Sequence, residues 1–360
     1  MSDMKLITFE PIDTIFFREA KPFNAGEGGF LDSQFPPPAQ TLSGAIRTAI
    51  GEAQDHWDWT NKVAVEKLLG TAGDPTPLSF AGPYLFKDKK RLYPLPLNLL
   101  RRKEWVRLIP SNTGFKTDMG DGLLRLPTLE QSFEEAKSIE EGRLDATNMQ
   151  KMLNDGLPDS FITHDDIFVR EPRVGIGRDN QKSVVNEGLL YFTRHLRLKE
   201  GITLGMGVGG LEKLPDGRMM RLGGEGRLVR MSSVGSMPTV LTAPTPNGNE
   251  KGLVLTLLTH GDFDGKNQPD DWSSVHTALK LVTACIGKPV REGGWDYTAD
   301  NGNGGKGAPK PLKSLVPEGS CYFVQVANGN LADVIEKLHG EHIGQRKEFG
   351  YGEIAVGLWR

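Results

Sequence analysis

The sequence predicts an α+β protein of two units, built on antiparallel sheets with helices on one face. Three observations predict it. Short apolar runs alternate with a few helical stretches, and most connections lack the strand–helix–strand pattern of a parallel sheet. Glycine (44) and proline (23) together make 67 of the 360 residues, about 19%, against a usual share of about 12%, as in a chain full of turns. A single core stops growing near ~250–300 residues, and the Pro- and Thr-rich stretch 231–251 reads as a linker between two parts. The expected division is 1–235 and 250–360.

The elements follow in order. Residues 4–10 form a short, partly β-branched run that ends at Pro11, a first strand. Residues 11–39 hold Pro11, Pro22, Gly26, Gly28, Gly29 and Pro36 to Pro38 and read as irregular. A helix follows, capped by Thr41 or Ser43, with Leu42, Ala45, Ile46, Ala49 and Ile50 in an apolar stripe. Arg47 falls off that stripe and should face outward, and Gly51 is the expected stop. A second helix runs from about Asn61 to Leu69 and ends at Gly70. Between 78 and 110, Pro83, Pro94, Pro96 and Pro110 break up short strands. Later, Lys251 to Leu258 is a strand, Ser274 to Ile286 a helix or a helix then a strand, 293–296 a turn, and Asp300 to Pro311 a flexible Gly/Lys loop. Cys321 to Ala327 is a strand. Leu331 to His339 is a helix with Leu331, Val334, Ile335 and Leu338 on one face, and Glu353 to Trp359 is the last strand.

The formal net charge of −3 gives no bulk argument for nucleic acid or membrane binding. The average hides an asymmetry. Residues 130–166 carry ten acidic against three basic side chains, and 167–230 twelve basic against seven acidic. The basic stretch is also rich in glycine, which suits a flexible hairpin lying along a phosphate backbone. Two cysteines, Cys285 and Cys321, exclude a disulfide framework and a Cys-based zinc site, and read as buried thiols in a reducing cytosol. The N-terminal residues lack the basic and apolar regions of a secretory signal, and no run approaches 18 apolar residues, so a cytoplasmic location away from membranes is expected.

Few motifs point to chemistry. Gly205-Met-Gly207-Val-Gly209-Gly210 matches a dinucleotide fingerprint only formally, because Pro215 and Gly217 spoil the helix that must follow. Gly304-Gly305-Lys306-Gly307 lacks the Ser or Thr of a phosphate-binding loop. The seven histidines show no zinc spacing, His164-Asp165-Asp166 reads as surface loop, and no nucleophile elbow occurs, so neither cofactor nor metal is expected. The most informative local feature is C-terminal. His342, Gly344, Arg346, Lys347, Phe349, Gly350, Tyr351 and Gly352 combine backbone freedom, positive charge and aromatic rings just before a strand. Such a loop can bring N–H groups to phosphates, neutralise them, and stack Phe349 or Tyr351 on bases.

Several runs, in order, resemble one family. They are Phe9-Glu-Pro11-x-Asp13-x-x-Phe16-Phe17-Arg18, Lys21-Pro22-Phe23, and Pro36-Pro37-Pro38-x-x-Thr41-Leu42-x-Gly44-Ala45-x-Arg47. Gly175-Ile-Gly177, Glu187-Gly188-x-Leu190-Tyr191, Gly223-Gly224-Glu225-Gly226-Arg227, Gly293-Gly294-Trp295-Asp296 and Phe349-Gly350-Tyr351-Gly352 follow. This pattern resembles the RAMP superfamily of CRISPR-associated RNA-binding proteins, and its order and spacing look most like the third subunit of type III-B Cmr effector complexes, from about residue 4 to 360.

The resemblance implies two ferredoxin-like (RRM-like) domains with Gly-rich loops and a β-hairpin insertion, a thumb, at about 173–194. It implies a non-catalytic subunit that grips the 5′ repeat-derived tag of the CRISPR RNA. Its partners would be the large polymerase-like Cmr subunit and the backbone RAMP subunit of the filament, with target RNA met indirectly. The RNA-binding residues it suggests are Arg18 and Lys21 after the first strand, then Ser43, Gly44 and Arg47 on the first helix. Arg173, Arg178, Asn180, Lys182 and Arg194 belong to the hairpin, Gly223, Gly224 and Arg227 to the turn, and Arg346, Lys347, Phe349, Gly350 and Tyr351 to the C-terminal loop. The alternative is a RAMP endoribonuclease that processes CRISPR repeats. Such relatives usually place a catalytic His or Tyr near the first helix; 11–50 contains neither, which leaves His342 as the candidate.

Overall fold

The computed structural model describes residues 4–20, 30–117, 120–130, 136–139, 141–179, 184–237, 241–300 and 306–360. The chain divides into two compact units. The first comprises Met1–Asp88, Asp165–Met237 and Arg291–Ser314, the second Lys89–His164, Pro238–Val290 and Leu315–Arg360. The sequential division expected at 235–250 is thus replaced by an interleaved one. Part of the acidic stretch enters the second unit's core: Leu144, Met149 and Leu153 pack with Leu258 and Ala355.

In the first unit, Lys5–Pro11 is a central strand, with Ile7 and Phe9 fully buried. It pairs antiparallel with Ile202–Gly209 on one side (Ile7 opposite Met206) and Leu228–Ser236 on the other (Phe9 opposite Met231). Ser79–Lys87 lies beyond Ile202–Gly209, and Arg218–Arg221 beyond Leu228–Ser236. Counting the four long strands along the chain, their order across the sheet is second, third, first, fourth. The glycines at 205 and 207 leave room for neighbours; a Cβ there would stand 2.6 Å from Phe86 and 2.8 Å from the Met237 sulfur. The formal dinucleotide fingerprint is therefore a strand interior.

Helix α1 (Ala39–Glu52) buries Ala39, Leu42, Ile46, Ala49 and Ile50. It begins earlier than expected. Pro38 is its N-cap with φ −57°, no side chain caps it, and Thr41 and Ser43 lie inside its first turns. Gly51 does not stop the helix; it makes room for Trp57 and Trp59, whose rings would meet a Cβ at 2.8 Å. Helix α2 (Lys62–Leu69) matches expectation: the Asn61 side chain accepts from the Ala64 N–H at 3.2 Å, and Gly70 closes it at φ +69°. A long antiparallel hairpin, Phe168–Asp179 with Val184–Leu198, pairs Phe168 with Leu198 and Ile176 with Leu190, and Phe30–Leu31 adds a parallel strand at Phe192–Thr193. Trp295–Asp300 pairs with Lys306–Pro309, so strands replace much of the turn and loop expected there; residues 301–305 lie outside the described part.

In the second unit, four antiparallel strands stand in the order Leu279–Cys285, Cys321–Val326, Gly252–Leu257, Ile354–Trp359. Counted along the chain, this is again second, third, first, fourth. Helix α4 (Leu331–Leu338), capped by Asn330, sets Val334, Ile335 and Leu338 against Ile354, Val356 and Leu358. Helix α3 (Ala146–Leu153), capped by Asp145, packs on the opposite face, where Ala355 meets Met149 and Leu153. The last strand is therefore buried on both sides, and its sequence is apolar throughout. The helical part of 274–286 shrinks to the 3₁₀ turn Trp272–Ser274 before the strand Leu279–Cys285. Cys285 and Cys321 are free and buried, and burial raises both thiol pKa values. No described helix is long and apolar enough to cross a membrane.

Candidate nucleic-acid interface

Residues 13–17 lie between two parts of the first unit. Ile15 exchanges backbone hydrogen bonds with Leu196 of the hairpin, both at 2.9 Å. One residue on, the Phe16 carbonyl accepts from the Gly224 N–H at 2.7 Å. Gly223 (φ +77°) packs so closely that a Cβ would strike the same carbonyl. Gly223 and Gly224 thus serve the turn's fit to Phe16, a structural need in the protein itself.

The side chains of this segment face an arginine cluster. Asp13 Oδ1 accepts from Arg197 at 2.8 Å, and Oδ2 from Arg173 at 3.1 Å and Arg227 at 3.4 Å. Hydrogen bonds from Arg197 and the Thr14 N–H hold the Asp13 pKa down to about 2. Glu171 pairs with Arg197 and Arg173, and Glu225 with Arg227. Beneath them His195 is fully buried. Its Nδ1 lies 3.2 Å from Thr14 Oγ1, its ring stacks on Phe16 at 4.9 Å, and Glu225 stands 3.6 Å from Nε2. Burial, then the Arg227 and Arg173 charges, lower its pKa, which favours the neutral ring. On the hairpin, side-chain alternation puts Tyr191, Thr193, His195 and Arg197 on one face and Arg194 on the other. Arg194 pairs with Asp32 at 2.9 Å and lies over the Phe30 ring at 5.0 Å. Gly175 faces Tyr191, whose ring fills the space of a Cβ.

The structure therefore brings together Arg173, Gly223, Gly224 and Arg227, with exposed Arg18 at the end of the same segment, bridged to Ser33. Arg178 pairs through its backbone with Val185; its side chain, and all of Lys21, Asn180 and Lys182, lie outside the described part. Sequence reading missed Asp13 as the hub, and Arg197, Glu171, Glu225 and His195 around it. The available signal was the period-two alternation of 191–197.

The other expected residues behave differently. Arg47 does not face outward. It is half-buried, and its Nη2 donates to the Gly70 carbonyl at 2.8 Å, tying α1 to the end of α2. Burial lowers its pKa. Ser43 is buried and donates to the Gln40 carbonyl of its own helix at 3.2 Å. Gly44 has nothing within 4 Å of an added Cβ. An Arg47→Ala change is expected to lower stability by about 1–3 kcal/mol, the range for a lost charged hydrogen bond. Urea unfolding checks this, and an unchanged midpoint would show the strut to be idle.

In the second unit, Phe349 and Tyr351 are 2% exposed, so neither ring offers a face to a base. Aromatic side chains between glycines are here core residues turned inward. The Arg346 guanidinium covers the Tyr351 ring at 4.1 Å and donates to buried Asp262. Gly350 takes φ +94° and Lys347 is exposed. His342 lines a cleft of about 650 Å³ with Asp262, Asp264, Asp270, Asp271 and Glu341, and burial lowers its pKa.

Fold and site define an α+β protein of two units, each built on a mainly antiparallel sheet, with an arginine cluster at the root of a long hairpin. The family model described as CRISPR-associated protein (Cas_Cmr3) matches residues 7–359, and the chain belongs to that family. It is a Cmr3-like CRISPR-associated RAMP. Among solved structures, it is similar to a chain of the type III-B Cmr-beta bound to cognate target RNA and AMPPnP (15% identity, 89% of this chain and 86% of that chain, TM-score 0.45). It is also similar to a chain of the Csm3-Csm4 subcomplex in the type III-A CRISPR-Cas interference complex (11%, 91% and 94%, 0.40). A third is a chain of the Csm1-Csm4 cassette in complex with AMPPNP (13%, 89% and 87%, 0.35). No curated protein matches the chain significantly.

Proposed function

We propose that this protein is a non-catalytic RNA-binding subunit of a cytoplasmic type III-B CRISPR ribonucleoprotein. In this reading it grips the 5′ repeat-derived tag of the CRISPR RNA and caps the backbone RAMP filament beside the large polymerase-like subunit, in antiviral defence. The observation that carries the reading is the convergence of Arg173, Arg197 and Arg227 at the hairpin root, with Arg194 on the opposite face of the same strands. Guanidinium groups on two faces of a two-stranded ribbon suit a phosphate backbone followed along its length. The shared strand order of the two units supports a pair of ferredoxin-like folds, and the hairpin 168–198 supports a thumb. The absence of His and Tyr from residues 11–50 favours binding over cleavage.

Fluorescence anisotropy with labelled CRISPR RNA, its 5′ tag intact or scrambled, tests this. The intact tag is expected to bind more tightly, with an affinity that falls steeply with salt. Equal binding of both RNAs would remove the tag from the reading. Metal-free cleavage abolished by His342→Ala would install the nuclease instead.

A further inference from the structure

A single exposed carboxylate, Asp13, collects three arginines from three separate stretches of chain. Arg173 and Arg197 come from the two strands of the hairpin, and Arg227 from beyond the Gly223–Gly226 turn. We propose that Asp13 is a positioning residue: it sets the three guanidinium groups in one array and fixes the root of the hairpin against that turn. The consequence for function rests on the RNA-binding reading above. RNA affinity should then depend on Asp13 even though its charge opposes a polyanion.

Geometry carries the proposal. The two Asp13 oxygens divide their work, Oδ1 to Arg197 and Oδ2 to Arg173 and Arg227. Thr14, next in sequence, receives Arg173 at 3.1 Å and contacts His195. Ile15 and Phe16 then bond to the hairpin and the turn through their backbones. Four consecutive residues thus fasten the same two elements. Isolated surface ion pairs contribute little because they are screened and cost side-chain entropy. Here Asp13 is 47% exposed and Arg227 only 19%, several pairs share one acceptor, and the backbone bonds already order the segment. Without Asp13, three like charges would face Glu171 and Glu225 alone and would spread apart.

Charge and position predict opposite signs. Removing a negative charge from an RNA-binding surface tightens binding if charge alone matters. With Asp13 as the organiser, Asp13→Asn weakens it by about fivefold to tenfold, within the usual coupling of a charge network. Asp13→Glu restores much of the loss. Glu10→Gln, an exposed neighbour on the first strand, leaves affinity unchanged or slightly higher. The probe is a labelled single-stranded CRISPR RNA on the full chain, read by anisotropy, with amide hydrogen exchange of 168–179, 191–198 and 223–230 measured in parallel on the free protein. Faster exchange in Asp13→Asn, slowed again in Asp13→Glu, is expected. Unchanged exchange overturns the proposal, as does equal or tighter RNA binding by Asp13→Asn, which would make Asp13 a shield. If the wild-type chain binds no RNA, the RNA reading fails, and the exchange measurement alone still decides the positioning role.

Discussion

Replacing Arg91 by methionine is expected to destabilise the second unit by about 3–5 kcal/mol, the cost of leaving one member of a buried ion pair behind. Arg91 donates through both terminal nitrogens to the two oxygens of Glu353, each at 2.9 Å. The two side chains are 7% and 5% exposed. Without both guanidinium hydrogen bonds, the buried Glu353 carboxylate must either stay charged away from water or take up a proton. The position is also a junction. The Glu353 N–H donates to Thr259 Oγ1 at 2.9 Å, and that hydroxyl donates to the Gly350 carbonyl at 2.8 Å. Loss of the pair therefore reaches the C-terminal loop. Urea unfolding followed by tryptophan fluorescence measures the effect. Adding Glu353→Leu to Arg91→Met should recover most of it, because a matched apolar pair removes the stranded charge. A single-variant loss below about 1 kcal/mol, the level of an exposed pair, would show that water reaches this one.

Gly352→Ala is the second large effect. Gly352 sits at φ +76°, and a Cβ would drive into the Ile343 carbonyl oxygen. The left-handed conformation alone costs a non-glycine residue roughly 1–2 kcal/mol. The clash adds to this because neither backbone can step aside. The Gly352 N–H is bonded to the His260 carbonyl at 2.9 Å, and the Ile343 N–H to the Gly352 carbonyl at 2.9 Å. Gly217, at φ +65° with nothing within 4 Å, is the control. Gly217→Ala carries only the conformational cost. Calorimetry should show a much larger fall in melting temperature for Gly352→Ala, and equal shifts would mean that the loop relaxes around the new methyl group. A larger fall for Gly352→Ala would show that this glycine answers to the protein's own backbone.

The helices show what was legible. The faces of α1 and α4 and both ends of α2 follow from spacing and caps, because helical contacts are local. The first and last strands follow from their apolar runs. Strand partners do not: Ile7 lies opposite Met206 and Ser233, and nothing near Ile7 encodes that. The same blindness hid the interleaving of the units and the Asp13 hub, whose arginines become neighbours only after the sheet forms. Arg47 and Tyr351 were misread for a related reason. A charge off an apolar stripe looks exposed, and an aromatic ring between glycines looks available, until the Gly70 carbonyl or the Arg346 guanidinium covers it.

The interleaved chain has a consequence for synthesis. A ribosome releases residues in order, yet the first unit draws on Arg291–Ser314 and the second on Leu315–Arg360. The first has all its residues once Ser314 is made, while the second must wait for the end of the chain. The strand Lys5–Pro11 emerges early and must wait for Ile202–Gly209 and Leu228–Ser236 before its edges are paired. A cut between Met237 and Gly252 would leave the strands of each main sheet on one fragment, but it would strip the first unit of Arg291–Ser314 and the second of Lys89–His164.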